Sequence, residues 1–372
     1  MFLSPLYSIY SMYLESGIME ARKIQQVGSS TLAVSLPSKW VKEVGLKRGD
    51  LVLLAPAKGS SLRLMLSAPS ESKAGDKVYT VNLDLCDGRR MLERVIVGTY
   101  VLGRDTVRII SSKRILGEQV DEVRRTARKL LGVGLIEETP NSIVLQCSIQ
   151  PEKFPMNTVL RRLYAIVSTM YREVMQSLAE LNPELAHDAI RREDEVDTMY
   201  WLTVRLILSA QEDEAVARKI SPKEPLDIAG NRLIAKLLEL IADYAETMAE
   251  DVIDIAKSRD DIEKPFINTL HQLGNMAADI CDKAMNCIFT GDINLANNAI
   301  ESKVVLEVEE EKLMKRLNAQ IREESVWDAL RSFAFGAKKM AEYGAEIAEI
   351  AINWVLVKPS RLCHLHENSN VT

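Results

Sequence analysis

The chain has 372 residues, 47% of them hydrophobic, and a formal net charge of −6. That length allows two or three domains and that composition allows sizeable cores. No run of eighteen apolar residues is free of charge, which excludes a membrane-spanning helix.

The first 18 residues, "MFLSPLYSIYSMYLESGI", are apolar but lack a basic start, so they do not read as a signal peptide. They are expected to be a disordered leader or the product of a start codon placed too early, with "MEARKI" the real beginning. Residues 19–66 are basic against this acidic background. Eight Lys/Arg (Arg22, Lys23, Lys39, Lys42, Lys47, Arg48, Lys58, Arg63) face three acids (Glu20, Glu43, Asp50), a net +5, and residues 67–372 carry −10. A basic head on an acidic body suits an anionic partner.

Within the head, "RKIQQV" alternates, "GSS" turns and "TLAVSL" makes a second strand. "PSKWVKEV" is a short helix with Pro37 in its first turn and Gly45 at its left-handed end. "LVLLA" and "LRLMLS" are further strands. So small a piece has too few core positions to fold alone, and a dimer sharing strands would solve that. Residues 67–77, "SAPSESKAGDK", are a linker.

Residues 78–150 predict a small βαβαββ unit: strand "VYTVNLDL", helix "GRRMLERVIVGTYVLG", strand "DTVRIIS", helix "LGEQVDEVRRTARKLLG" and a hairpin through "TPN". Neither GxGxxG nor GxxxxGK[ST] occurs there, so no nucleotide site is signalled. From Pro155 strand signals vanish. Six helices follow, broken near "LNPE", "SPKEP", "KSRDDIEKP", "TGD" and "REES". Their order repeats, predicting tandem three-helix bundles at 155–257 and 261–357, with a tail at 358–372. The expected fold class is therefore multidomain: a β-rich head, an α/β unit and an all-α body. The five scattered cysteines form no CxxC pair, which points to a reducing cytoplasm.

The head resembles the SpoVT/AbrB-type swapped-hairpin domain. The resemblance rests on its basic first strand, "VGSST" at the hairpin, "LPSKWV" and "GLKRGDLV". It implies an interdigitated homodimer that binds DNA. Arg22 and Lys23 would then grip phosphate or base edges, the hairpin residues Ser29, Ser30 and Thr31 would position the backbone, and Lys39 and Lys42 are further candidate contacts. The helical half resembles the PhoU family of phosphate-uptake regulators. The carrying residues are "REDEVDTMYW" and "LLELIADYAETMAE", with Tyr244 where that family usually has His. This resemblance implies a regulator rather than an enzyme, reporting on a phosphate ABC transporter or an associated sensor kinase. Some relatives bind metal clusters through Glu/Asp-x-x-x-Asp pairs.

Spacing bears on the metal. Glu193 and Asp197 share a helix face beside the apolar arc of Ala189, Val196, Tyr200, Val204 and Ile207, where two carboxylates are costly without a cation. Glu239 and Asp243 share a face too, but with Glu246 and Glu250 they lie opposite Leu233, Leu237, Ile241, Tyr244 and Met248. That predicts a solvated acidic surface. Converging oxygen ligands would suit Fe, Mn, Mg or Zn in the first bundle. In the second copy, aligning Ile190 with Ile300 and Ala245 with Gly344 puts Lys303 and Lys338 in place of Glu193 and Glu239. Lys303–Glu307 and Lys338–Glu342 then read as ion pairs, and the second bundle is expected to lack the site. His187, His271 and "CHLHE" at 363–367 read as incidental.

The expected function is a cytoplasmic, homodimeric, DNA-binding transcriptional regulator of phosphate uptake. One alternative keeps the helical body as a transporter-docking protein without DNA binding. A carboxylate metalloenzyme is disfavoured, because helical di-iron sites use Glu-x-x-His motifs in pairs and the chain holds no such pair.

Overall fold

The computed structural model describes residues 21–56, 61–66, 78–220, 225–258, 262–321, 323–357, 359 and 362–363. The leader, the linker at 67–77 and most of the tail, including the "CHLHE" run apart from Cys363, lie outside the described residues. The chain divides into two compact units, Met1–Gly75 and Asp76–Thr372.

In the first unit β1 (Gln25–Val27) and β2 (Thr31–Ala33) form an antiparallel hairpin, and β3 (Val52–Pro56) pairs antiparallel with β4 (Leu62–Leu66). Helix α1 (Ser38–Glu43) lies between them, capped by Pro37 in extended geometry. Gly45 follows at φ +68°, a left-handed turn that a side chain would strain. No described side chain of this unit is buried. Ile24, Leu32 and Leu51 are 67%, 69% and 77% exposed. The expectation that this piece lacks a core of its own matches the geometry.

The second unit begins with a four-stranded sheet. Its strands β5 (Val78–Asn82), β6 (Thr106–Ile110), β7 (Val133–Thr139) and β8 (Ser142–Cys147) lie in the order β5-β6-β8-β7. β5 and β6 run parallel, joined through α2 (Met91–Val101); β8 is antiparallel to both β6 and β7. Helix α3 (Gly117–Lys129) completes the predicted βαβαββ order. Apolar alternation puts Val81, Val107, Ile109, Ile143 and Leu145 beneath Leu92, Ile96, Tyr100 and Val123.

Six long helices follow: α4 (Met156–Glu180), α5 (Pro183–Glu212), α7 (Pro225–Lys257), α8 (Lys264–Thr290), α9 (Ile293–Gln320) and α10 (Glu324–Leu356). Asn182 and Asp292 cap α5 and α9 by accepting from the backbone N–H two residues on, which explains the breaks at "LNPE" and "TGD". A short helix, α6 (Glu214–Ile220), was not anticipated. Seven residues are too few to display a helical period.

The helices form two triplets, α4-α5-α7 and α8-α9-α10, which share one continuous core because α7 packs on α10 and α4 on α8. Gly344 permits the tight approach of α10 to α8: a Cβ there would meet Ile280 and the Cys281 backbone at 3.0–3.2 Å. Asp282 of α8 accepts from Tyr164, Tyr171 and Arg172 of α4, the last at 2.7 Å. Among the described residues, no helix is long and apolar enough to cross a membrane.

The α/β layer is locked to the bundle by Arg205 of α5. Its buried guanidinium donates to the Tyr100 carbonyl at 2.6 Å, pairs with Asp105, and lies 5.0 Å from the Tyr100 ring centroid. Arg205→Met is expected to remove the bond to that carbonyl, which keeps only the Gly103 N–H, together with the Asp105 pair, and to cost about 2 kcal/mol. The melting temperature should fall by several degrees. A melt unchanged from wild type would show that the arginine plays no part in holding the layers together.

Candidate functional site

Four carboxylates expected from sequence, Glu193 and Asp197 on α5 and Glu239 and Asp243 on α7, all belong to adjacent packed helices. The structure brings them within electrostatic reach: Asp197 acts on both Glu239 and Asp243, and Glu193 on Glu246. The expectation of a solvated face on α7 is wrong. Glu239, Asp243 and Glu246 are half-buried, and only Glu250 is exposed. Leu233, expected on the buried side, is 49% exposed. The cause is that α7 packs on α4 and α5 along one side and on α10 along another. Glu239, Asp243 and Glu246 fall at the edge of these contacts.

Burial sets the proton affinities. Glu193 is pushed up to about 7 by burial, then by the charges of Asp197 and Glu246. Asp243 is pushed up to about 6 by burial and by Glu239. Asp197 is also raised by burial, with Lys129 opposing. Glu246 is raised by burial and by Glu250.

Two lysines meet these acids. Lys129, at the end of α3, places Nζ 3.0 Å from Asp194 and 3.9 Å from Asp197. Lys236 pairs with Glu239 one turn away on α7. Sequence reading missed both. Lys236 was visible as an i, i+3 partner of Glu239. Lys129 lies more than sixty residues before Asp194, and its only trace is the basic last turn of α3, Arg128 and Lys129.

The expected metal ligands do not fit an ion as they stand. Among the described residues, no group of three or more His, Cys, Asp or Glu side chains could hold one. An ammonium already occupies the position where a cation would neutralise Asp197. Tyr244 packs against Phe335 and Tyr343.

In the second copy, Lys303 pairs with Glu307 at 3.0 Å, as the spacing predicts. Lys338 does not pair with Glu342. It reaches Glu310 on α9 at 3.3 Å, and Glu342 takes Lys339 at 2.6 Å. The neighbouring helix offers Lys338 a half-buried partner that spacing along one helix cannot reveal.

In the first unit, Arg22 and Lys23 precede β1, Ser29 and Ser30 form the hairpin turn, and Thr31 opens β2 opposite Val27. Lys39 and Lys42 share a face of α1, three residues apart. All seven are exposed.

Residues 160–252, which run from α4 to α7 and include all four carboxylates, match the family model described as the PhoU domain. Among solved structures, PhoU from Pseudomonas aeruginosa is similar at 16% identity with a TM-score of 0.48, covering 55% of this chain and 96% of that one. No curated protein sequence matches the chain.

The half-buried acids make stability depend on pH. Glu193 keeps its proton up to about 7 in the fold, against an ordinary 4.5. Between those values the folded chain binds more protons than the unfolded one, so stability falls as pH rises through that window. Asp243, about 6 against 3.8, adds to the fall. Glu193→Gln is expected to raise the melting temperature at about pH 8 and to flatten the decline from about pH 5, by roughly 1 kcal/mol for a group still partly screened by water. A steeper decline in the variant would contradict this account of the groove.

Metal is tested on the full chain. Titration calorimetry with Fe, Mn, Mg and Zn is expected to show no saturable heat in wild type, because Lys129 holds the position. Saturable uptake abolished by Asp197→Asn would show that the lysine gives way.

Proposed function

We propose that the chain is a PhoU-like regulator of phosphate uptake that works by docking and catalyses no reaction. The observation that carries this reading is the match of residues 160–252 to the PhoU domain. Its partners would be a component of a phosphate ABC transporter or an associated sensor kinase. The geometry suits docking: of the half-buried carboxylates, Asp197 and Glu239 are each met by a lysine of the same chain.

A second reading adds DNA binding through the first unit, giving a homodimeric transcriptional regulator. It is favoured by a unit in which every described apolar side chain is at least partly exposed and seven basic or hydroxyl-bearing candidates face solvent. Pairing two copies would bury the apolar residues and double the basic charge. Neutralised phosphates would then release counterions.

Immunoprecipitation of the tagged chain, from cells in high and low phosphate, separates the two. Peaks at phosphate-transporter promoters, lost in Arg22→Ala with Lys23→Ala, are expected for the DNA reading. In vitro, that double variant should lower the salt slope of DNA binding by about one per lost phosphate contact. Co-purification with transporter components and no DNA peaks would leave docking alone. Neither partner in either condition would overturn the proposal.

A further inference from the structure

We infer that the groove between α9 and α10 receives a basic amphipathic helix of a partner protein. This rests on the reading of the helical half as a docking module and says where and what it docks.

The internal repeat supplies the argument. In the first copy the chain itself covers the α5 side of the groove between α5 and α7. Helix α3 packs on α5, and its last turn delivers Lys129 to Asp194 and Asp197. The alignment of the copies carries that groove onto α9 and α10. There Val304 stands for Asp194, and Glu342, Glu346 and Glu349 stand for Asp243, Thr247 and Glu250. The result is an open groove of about 660 Å³, lined by Leu233 of the neighbouring α7, Val304 of α9, and Glu342, Glu346, Glu349 and Ile350 of α10. Val304 is 57% exposed, and Val305 and Val308 beside it are 55% and 47% exposed. Three large β-branched residues on an exposed stretch of one helix form an apolar patch that water covers poorly.

Charge selects the occupant. Lys303 is held by Glu307, and Lys339 offsets Glu342. Glu346 and Glu349 are exposed and make no ion pair among the described residues. A lining of apolar residues and acids fits a helix that carries apolar residues at i, i+3/i+4 and i+7 with Lys or Arg beside them. The same acids repel nucleic acid and anionic lipid. They also repel another copy's acidic body, since residues 67–372 carry −10.

The chain's own α3 is the natural probe, since it has this character and already packs on α5, the helix equivalent to α9. A fluorescein-labelled peptide of residues 117–131 is titrated with the full chain by anisotropy, beside a control with Arg128→Glu and Lys129→Glu. The basic peptide is expected to bind at least tenfold more tightly than the control. Binding should weaken at least tenfold in Val304→Glu and in the Glu346→Lys, Glu349→Lys double variant. The two variants change exposed residues only, and an unchanged melting temperature checks that both fold. Absent binding, equal binding of both peptides, or binding indifferent to both variants would overturn the assignment. If the peptide behaves as expected but no transporter component co-purifies, the groove stands and the phosphate-uptake reading fails. If a component co-purifies equally with Val304→Glu, docking stands and this groove is not where it happens.

Discussion

A helix buried on two sides cannot keep its charges fully in water, and α7 is such a helix. It closes the first triplet against α4 and α5 and meets α10 of the second, so one continuous core runs through all six long helices. Ile234, Leu238, Ile241, Ala245, Met248 and Val252 are entirely or almost entirely buried along it. Glu239, Asp243 and Glu246 are left half-buried beside them. That single packing fact raises the proton affinities of Asp243 and Glu246 and, across the seam, of Glu193 and Asp197. It also makes a counter-cation necessary, since partly desolvated carboxylates in one groove repel each other.

The cation is supplied from the α/β layer. Lys129 arrives on the last turn of α3, where a positive charge is also favoured by the helix dipole. Arg205 fixes the same layer from the opposite direction, reaching out of α5 to the end of α2. The layer and the first triplet are thus joined by one charge exchanged each way. One is an exposed, screened lysine pair. The other is a buried arginine with a backbone acceptor and a carboxylate partner, and it is the stronger of the two because the buried guanidinium has no water to fall back on.

The repeat has diverged according to what covers each copy. Where α3 lies on α5, acids of α5 meet its lysine. Where the corresponding acids of the second copy lost their lead positions, Lys303 and Lys338 pair within the triplet, one along α9 and one between helices. The same exchange left valines exposed on α9 and glutamates on α10. Among the described residues, the first unit shows the opposite economy: short strands, one six-residue helix and no buried side chain.

Much of this architecture was legible along the chain, because its determinants are local. Alternation and turn residues marked the strands. Asn182, Gly291 and Asp292 marked helix ends. The repeat order marked six helices, and the four-residue spacing of Glu193 with Asp197 and of Glu239 with Asp243 marked the acidic pairs. The short helix α6 escaped because seven residues carry no period. What only the tertiary structure decided is which face of α7 stays wet, which lysine answers Asp197, and where Lys338 turns. A helical wheel assumes one buried side, and α7 has two. An i, i+4 rule sees partners on one helix, whereas Lys129 and Glu310 come from other elements. Burial and ion pairing across elements are properties of the packed fold, and they settled the chemistry of residues whose positions the sequence alone had already marked.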